Sequence, residues 1–343
     1  MGAFDDAAKG PDPIGAIAGA VDAGFQAVAL SAVWTRGEQA PPAAELAQLR
    51  GAARAAVSLH VEPIVTVYQL SNDTPVSDAD QADFAAFAAA IAKALPEVRA
   101  LIVGNEPNTN LFWMPQFGPE GSDAAAEAFE RLLARTYDAI KAVDSGVQVI
   151  AAGLSAHGGD DSTAVRPTHS PTQFLLDLGA AYRSSGRTTP MMDALSLHPY
   201  GEAPKVPPTL AHPRTTTIGI ADYGKLVDLL GQAFDGTAQP GRTLPIVFGE
   251  YGVETTIPRS KASLYSGHEV VTPVDERTQG RFYADAIRLA ACEPTVELLL
   301  VFHVLDEPRL EGLQSGVRYT DGSPKSSLPT VRQAIAGDTT CRR

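Results

Sequence analysis

Two glutamates lie at the ends of apolar segments that are typical of buried strands. Glu106 ends the run Ile-Val-Gly-Asn-Glu, and Glu250 ends the run Pro-Ile-Val-Phe-Gly-Glu. Two facing carboxyl groups can take different roles in one reaction. One protonates a leaving oxygen, while the other attacks carbon or activates water. Cleavage of a glycosidic bond needs this division of labour. The alternative is that each glutamate is a solvated loop acid, since glutamate is common on protein surfaces.

Short β-rich apolar segments alternate with longer amphipathic stretches along the whole chain, which predicts βα units and a parallel sheet. The predicted strands are Gly2–Asp5, Ala27–Val33, Pro63–Tyr68, Ala100–Gly104, Gln148–Ala152, Ala194–His198, Pro245–Gly249 and Val296–Phe302. Most of them lack in/out alternation, as expected for strands covered on both faces. The eight units predict an α/β fold, a (β/α)8 barrel formed as a single domain over residues 1–343, with a C-terminal tail at 336–343.

The segments after several predicted strands are long and rich in Gly, Pro, Ser and Thr. They span residues 108–122, 157–171, 201–217 and 254–273. In such a barrel, the loops after the carboxyl ends of the strands form the active face. We therefore expect Glu106 and Glu250, at the ends of the fourth and seventh strands, to face each other across the barrel mouth.

The segments Gly-Asn-Glu-Pro around Glu106 and Phe-Gly-Glu-Tyr around Glu250 resemble the acid/base and nucleophile motifs of clan A glycoside hydrolases. These are (β/α)8 retaining enzymes that include families 5 and 39. The resemblance implies a retaining glycosidase that cleaves O-glycosidic bonds of β-like configuration without a cofactor. It implies that Glu106 is the acid/base, that Glu250 is the nucleophile, and that Asn105 binds the sugar 2-hydroxyl.

A third segment, Leu-Ser-Leu-His-Pro-Tyr at 195–200, is similar to the sixth-strand motif of the clan. It implies that His198 supports the acid/base and that Tyr200 holds the nucleophile, where a phenol hydrogen bond favours an ionised carboxylate. A hydrogen-bonded core histidine and a structural tyrosine are the alternatives. The chain also departs from the clan. Ala29 stands where many members have an arginine that braces the nucleophile, and Phe302 or His303 replaces the tryptophan of the eighth strand.

Several aromatic residues fall at or just after predicted strand ends, where their ring faces can stack on sugar C–H groups. They are Trp34, Tyr68, Trp113 and Tyr251. Trp113 is the strongest candidate for the wall of a sugar subsite, and the alternative is an aromatic that anchors its loop.

Composition and motifs narrow the range of partners. The chain has 27 Lys and Arg against 40 Asp and Glu, a net charge of −13, which disfavours a nucleic-acid partner. Its longest apolar stretch, Leu298–Leu305, is far shorter than the roughly 20 residues of a membrane-spanning helix. It has no dinucleotide-binding or phosphate-binding glycine motif and no zinc-hydrolase motif, so we predict no cofactor and no metal. A carbohydrate is the expected partner, and the oligomeric state stays open.

The two cysteines follow the predicted seventh and eighth helices, which end on the face opposite the active site. We expect a disulfide between Cys292 and Cys341, the alternative being two unrelated thiols. A disulfide would place the protein outside the reducing cytosol. The first residues lack the basic and apolar regions of a leader, so we expect a secreted or extracytoplasmic protein whose leader is absent from this sequence, or else a cytoplasmic one.

Two other functions fit the same residues. A non-catalytic carbohydrate-binding barrel would keep the cleft without turnover, as the missing arginine and tryptophan allow. A transglycosylase would use the same two carboxyl groups with a sugar acceptor in place of water.

Overall fold

Eight parallel strands form a closed barrel in the computed structural model, which describes residues 1–337 and 341. The strands are β1 Gly2–Phe4, β2 Ala27–Val33, β3 Glu62–Tyr68, β4 Ala100–Val103, β5 Gln148–Ser155, β6 Ala194–His198, β7 Ile246–Tyr251 and β8 Val296–Phe302. Each strand pairs with its neighbour in chain order, and β8 pairs with β1 to close the sheet. The predicted (β/α)8 barrel is therefore confirmed.

A helix follows each strand and covers the outside of the barrel. The helices are α1 Pro13–Ala23, α2 Ala43–Ser58, α3 Asp78–Ala94, α4 Ala124–Val143, α5 Pro171–Ser185, α6 Tyr223–Phe234, α7 Glu276–Cys292 and α8 Leu328–Ala336. Several begin at a side chain that accepts a hydrogen bond from a backbone amide of the first turn, as Ser77 does for α3 and Asp275 for α7. These caps satisfy amides that have no partner within the helix.

The strands bury side chains on both faces, and this accounts for their missing alternation. The barrel interior is filled mainly by small and β-branched residues together with Phe4 and Leu300: Phe4, Ala27, Ala29, Ile64, Ala100, Ile102, Ile150, Ala194, Val247 and Leu300. A larger apolar cluster fills the layer between sheet and helices. The barrel is thus a packed scaffold that fixes the positions of the strand ends.

Five strands differ from the prediction. β3 begins one residue earlier, at Glu62, β4 ends one residue earlier, at Val103, and β7 begins one residue later, at Ile246. β1 ends at Phe4, because Asp5 accepts a hydrogen bond from the amide of Ala7 and caps a short 3-10 helix. β7 continues to Tyr251, so Glu250 lies within the strand. β5 continues to Ser155 through an irregularity between Ala151 and Leu154.

The C-terminal segment returns to α7. Cys292, the last residue of α7, forms a disulfide with Cys341, with 5.3 Å between their Cα atoms. The tail predicted at 336–343 begins one residue too early, since Ala336 still belongs to α8. Residues 338–340 and 342–343 of that tail lie outside the described residues.

Candidate active site

The turn after β4 holds Glu106 in an uncommon backbone conformation. Gly104 has a φ of +94°, and a Cβ atom there would lie 2.8 Å from the ring of Phe129, so only glycine fits. Glu106 itself has a φ of +43°, which costs free energy for a residue with a side chain. Its amide donates to the carbonyl of Gly153 at 2.9 Å, which helps to keep the turn in place. Such conformations are concentrated at functional sites.

His198 is buried between two strands that carry glycine beside it. A Cβ atom at Gly153 would lie 2.7 Å from Nε2 of His198, and one at Gly249 would lie 3.2 Å from it. The two glycines therefore make room for the imidazole ring. Its Nδ1 atom lies 3.4 Å from Oε1 of Glu106 and 3.6 Å from Oε2 of Glu250. One ring nitrogen thus contacts both carboxyl groups.

These contacts change the titration of His198. Burial favours the neutral imidazole, but the negative charges of Glu250 and Glu106 act more strongly together and raise the pKa of His198. The imidazole of His198 thus lies between the two carboxyl groups, and its protonated form is favoured by both.

Glu250 accepts a hydrogen bond from Tyr200 in addition to its charge contact with His198. The Tyr200 hydroxyl donates to Oε2 of Glu250 at 3.1 Å, and the Glu250 side chain is only 13% exposed. Burial raises the pKa of Glu250 and the charge of Glu106 adds to this effect, whereas His198 and the Tyr200 hydrogen bond act against it. Burial also raises the pKa of Tyr200 well above its usual range, so this phenol remains a donor.

The two glutamates line a cavity of about 390 Å³ at the carboxyl ends of the strands. Its polar groups are few and its walls are aromatic or aliphatic; the lining residues are Phe4, Tyr68, Asn105, Glu106, Phe112, Tyr200, Glu250, Phe302 and Leu313. We call it the catalytic pocket. Burial raises the pKa of Tyr68 to about 12, so its hydroxyl is also a protonated donor. Apolar walls with a few convergent polar groups are typical of sites for small ligands.

The predicted site residues Glu106, Glu250, Asn105, Tyr200 and Tyr68 are brought together in this pocket, with His198 behind the two carboxyl groups. Trp34 and Trp113 do not line this pocket, so the prediction that they contribute to a sugar subsite is wrong.

The two tryptophans lie in the core, at 0% and 1% exposure. Trp34 packs edge-on against Phe84 and Trp113 against Phe129, so neither ring face is open to a ligand. Tyr251 is buried as well, at 2% exposure.

The sequence left open whether Phe302 or His303 replaces the tryptophan of the eighth strand. Phe302 lines the catalytic pocket. His303 is buried behind it, and its Nδ1 atom donates to the carbonyl of Phe4 at 2.9 Å. It lies close enough to Glu250 that its imidazole lowers the pKa of that carboxyl group. Ala29, where the clan has an arginine, is buried in β2. The two imidazoles are thus the basic groups that act on Glu250 here.

Three pocket residues were missed by the sequence. Phe112 stands beside Tyr68, with 5.9 Å between ring centroids, and takes the wall position expected for the adjacent Trp113. Phe4 could have been predicted from its position at the end of β1, because an aromatic residue at a strand end can face the barrel mouth. Leu313 comes from an irregular segment after β8 and has no comparable signal.

No group of three or more His, Cys, Asp or Glu side chains is arranged to hold a metal ion among residues 1–337 and 341. Within the same residues, no helix is both long enough and apolar enough to cross a bilayer.

Known structures share this fold, although no family model and no curated protein sequence matches the chain. A glucosidase from Croceicoccus marinus superposes with a TM-score of 0.63 at 12% identity, over 93% of this chain and 62% of that one. A broad-specificity GH5-4 endoglucanase from Clostridium longisporum gives 0.58 at 11% identity, over 94% and 84%. A β-glucuronidase from Bacteroides uniformis gives 0.57 at 13%, over 94% of this chain.

These structural neighbours are glycoside hydrolases, and at such identities they establish the (β/α)8 fold. The chain spans 32% of the length of the Bacteroides enzyme.

Proposed function

We propose that the protein is a retaining glycoside hydrolase that cleaves β-linked O-glycosidic bonds by double displacement. The observation that carries the proposal is the convergence of Glu106 and Glu250 on Nδ1 of His198 at the mouth of the barrel. Given their distances to Nδ1, Oε1 of Glu106 and Oε2 of Glu250 are no more than about 7 Å apart, which is compatible with the retaining separation of about 5–5.5 Å.

In the first step, Glu106 donates its proton to the glycosidic oxygen while Glu250 attacks the anomeric carbon. The leaving sugar or alcohol departs with that proton, and a glycosyl ester forms on Glu250. In the second step, Glu106 takes a proton from water, the water oxygen attacks the anomeric carbon, and Glu250 is released as a carboxylate. Retention of configuration follows from two inversions at the same carbon.

The surrounding residues have matching tasks. Tyr200 donates to Glu250 and favours the ionised form that attacks. Asn105 lines the pocket beside Glu106, where its amide can bind a hydroxyl group of the sugar. Phe4, Phe112 and Phe302 supply aromatic surface for the C–H groups of a pyranose ring.

The proposal also covers the domain organisation, the cofactor requirement and the location of the protein. Residues 1–343 would form a single catalytic domain that acts on a carbohydrate without a cofactor. The Cys292–Cys341 disulfide favours an extracytoplasmic location, since disulfides persist in oxidising compartments.

The decisive test is Glu250→Ala, assayed with a panel of aryl β-glycosides. We expect turnover to fall by roughly 10⁵-fold or more, as for other removed nucleophiles. Added azide should restore part of the activity and give a glycosyl azide of inverted configuration, because the anion occupies the space of the missing carboxylate. Glu297→Ala is the matched control, because Glu297 is exposed at the opposite end of the barrel and should keep full activity.

A Glu250→Ala variant that keeps most of its activity would refute the assignment. A wild-type protein that binds glycosides without turning any over would favour the carbohydrate-binding barrel. Glycosyl transfer that outcompetes hydrolysis at high acceptor concentration would identify a transglycosylase.

A further inference from the structure

Asn108 follows Glu106 by two residues and does not line the catalytic pocket. It is fully buried, at 0% exposure, and its side chain reaches the end of β5. Its Oδ1 atom accepts from the amide of Ser155 at 3.0 Å, and its Nδ2 atom donates to the carbonyl of Ser155 at 3.2 Å. The carboxamide therefore pairs with both backbone groups of one residue, as a neighbouring strand would pair with the backbone of β5.

This contact lies beyond the end of the regular pairing between β4 and β5. The paired residues of β4 end at Val103. After that point, the amide of Glu106 donates to the carbonyl of Gly153 at 2.9 Å, and Asn108 bonds to Ser155. The two contacts are spaced by two residues on each segment, so together they fix the turn that carries Glu106 against β5.

The turn requires support, because Glu106 has a φ of +43° and such a conformation persists only where the surroundings impose it. Asn108 supplies a further connection. Its Nδ2 atom also donates to the carbonyl of His169 at 3.0 Å, and its own carbonyl accepts from the amide of His169 at 2.9 Å. Both hydrogens of the carboxamide are thus used, and the turn is joined to the segment after β5 as well.

Ser155 links Asn108 to the two carboxyl groups. It lies opposite His198 in the register of β5 and β6, and Nδ1 of His198 lies 3.4 Å from Oε1 of Glu106. A closed path therefore runs from Glu106 along the turn to Asn108, across to Ser155, on to His198 and back to the Glu106 carboxyl group. Removal of the Asn108 side chain opens this path.

We propose that Asn108 is a positioning residue, which holds the Glu106 carboxyl group where its proton reaches the glycosidic oxygen. The inference rests on the proposed function, because it takes Glu106 as the acid/base. Asn108 is buried behind the turn, so it acts on the reaction through Glu106. Glu250 lies on β7 and keeps its place when the turn relaxes, so attack on the anomeric carbon should be spared.

The test compares leaving groups in the full-length protein. Asn108→Ala should lower kcat by about 10²-fold for glycosides whose leaving alcohol must be protonated, since a misplacement of about 1 Å has effects of this size. The loss should be much smaller for activated aryl glycosides, which depart without a proton. In a Glu106→Gln background, Asn108→Ala should add little further loss, because the acid is already absent.

Gln239→Ala is the matched control. Gln239 is 1% exposed, and its carboxamide also pairs with backbone groups, accepting from the amide of Met191 at 2.9 Å and donating to the carbonyl of Met192 at 3.2 Å. These residues precede β6, at the end of the barrel opposite the catalytic pocket. Gln239→Ala should lower the unfolding free energy as Asn108→Ala does, and it should leave kcat unchanged for both classes of leaving group.

Asn108→Asp extends the test if Asn108→Ala does not fold. It has nearly the same shape and keeps the acceptor for the amide of Ser155, but it lacks the amide donors, so we expect the same selective loss at smaller size. No loss, an equal loss for all leaving groups, or a loss that multiplies with that of Glu106→Gln would overturn the inference. If Glu106→Gln alone still acts selectively on poor leaving groups, the proposed function stands. A Glu106→Gln variant without that selectivity would overturn the proposed function, and this inference with it.

Discussion

Two buried charge clusters lie at the same end of the barrel, and they differ in how closely their members contact each other. In the catalytic cluster, His198 lies 3.4 and 3.6 Å from oxygens of Glu106 and Glu250. In the second cluster, Lys325 donates to Asp306 at 2.7 Å. The first set of contacts is long, and the second is at the distance of a strong charged hydrogen bond.

The second cluster is also saturated. Lys325 donates its other two hydrogens to Thr255 Oγ1 at 2.6 Å and to the carbonyl of Gln314 at 2.9 Å. Asp306 accepts in addition from the Tyr265 hydroxyl at 2.7 Å and from the amide of Gly316. This cluster ties the segment after β7 to the segments after β8.

Under the proposed function, the difference is that between a structural group of charges and a reactive one. A saturated ion pair has no atom free for a substrate, and it holds the loops in one arrangement. Carboxyl groups that exchange protons and form a covalent bond must instead be accessible to the substrate. Glu106 and Glu250 meet this condition because they line the catalytic pocket. Changes in the first cluster should therefore affect rates, and changes in the second should affect stability.

After the loss expected for Glu250→Ala, the next largest effect that distinguishes the clusters is on the rate after Glu106→Gln. Loss of the proton donor should lower kcat by about 10²–10⁴-fold for glycosides with poor leaving groups, and by much less for an activated aryl glycoside. Measuring kcat against the pKa of the leaving alcohol distinguishes these cases. The unfolding free energy should stay close to that of the wild type. A uniform loss across all leaving groups would argue against an acid role for Glu106.

The next effect is on stability after Lys325→Met. Removing the ammonium group leaves the buried Asp306 carboxylate without a countercharge, which should cost about 3–5 kcal/mol of unfolding free energy, measured by urea titration. The exposed Lys205 gives the matched control, and Lys205→Met should change stability by less than about 0.5 kcal/mol. A loss below about 1 kcal/mol for Lys325→Met would mean that the cluster does not stabilise the loops.

The sequence predicted the parts of this face that depend on local pattern. Apolar runs located the strands, and Glu106 and Glu250 stand where those runs end. The sequence could not show which aromatic side chain turns toward the pocket, because Phe112 and Trp113 are adjacent and the path of their loop decides between them. It also could not show the pairing of Lys325 with Asp306, or the packing of His198 against Gly153 and Gly249, because these contacts join distant segments.

A smaller effect is expected for Tyr200→Phe. Loss of the hydrogen bond to Glu250 should lower kcat by about tenfold. It should also raise the pKa of Glu250, because the Tyr200 hydroxyl stabilises the ionised carboxylate, so the acid limb of the kcat/KM profile should move to higher pH. Tyr265→Phe is the matched change in the second cluster, where it removes a hydrogen bond to Asp306. It should leave that limb in place, and a shift of equal size in both variants would remove the distinction between the clusters.

The smallest effect is the position of the acid limb in the unmodified protein. Burial raises the pKa of Glu250, and in the proposed mechanism this carboxyl group must be ionised to attack. Activity should therefore fall as pH decreases through that raised value, with a midpoint above the ordinary glutamate pKa of about 4.3. The profile of kcat/KM for an aryl glycoside measures this midpoint in the free enzyme. A midpoint at or below the ordinary value would mean that Glu250 is solvated like a surface acid. Burial would then not be what distinguishes this carboxyl group from exposed ones.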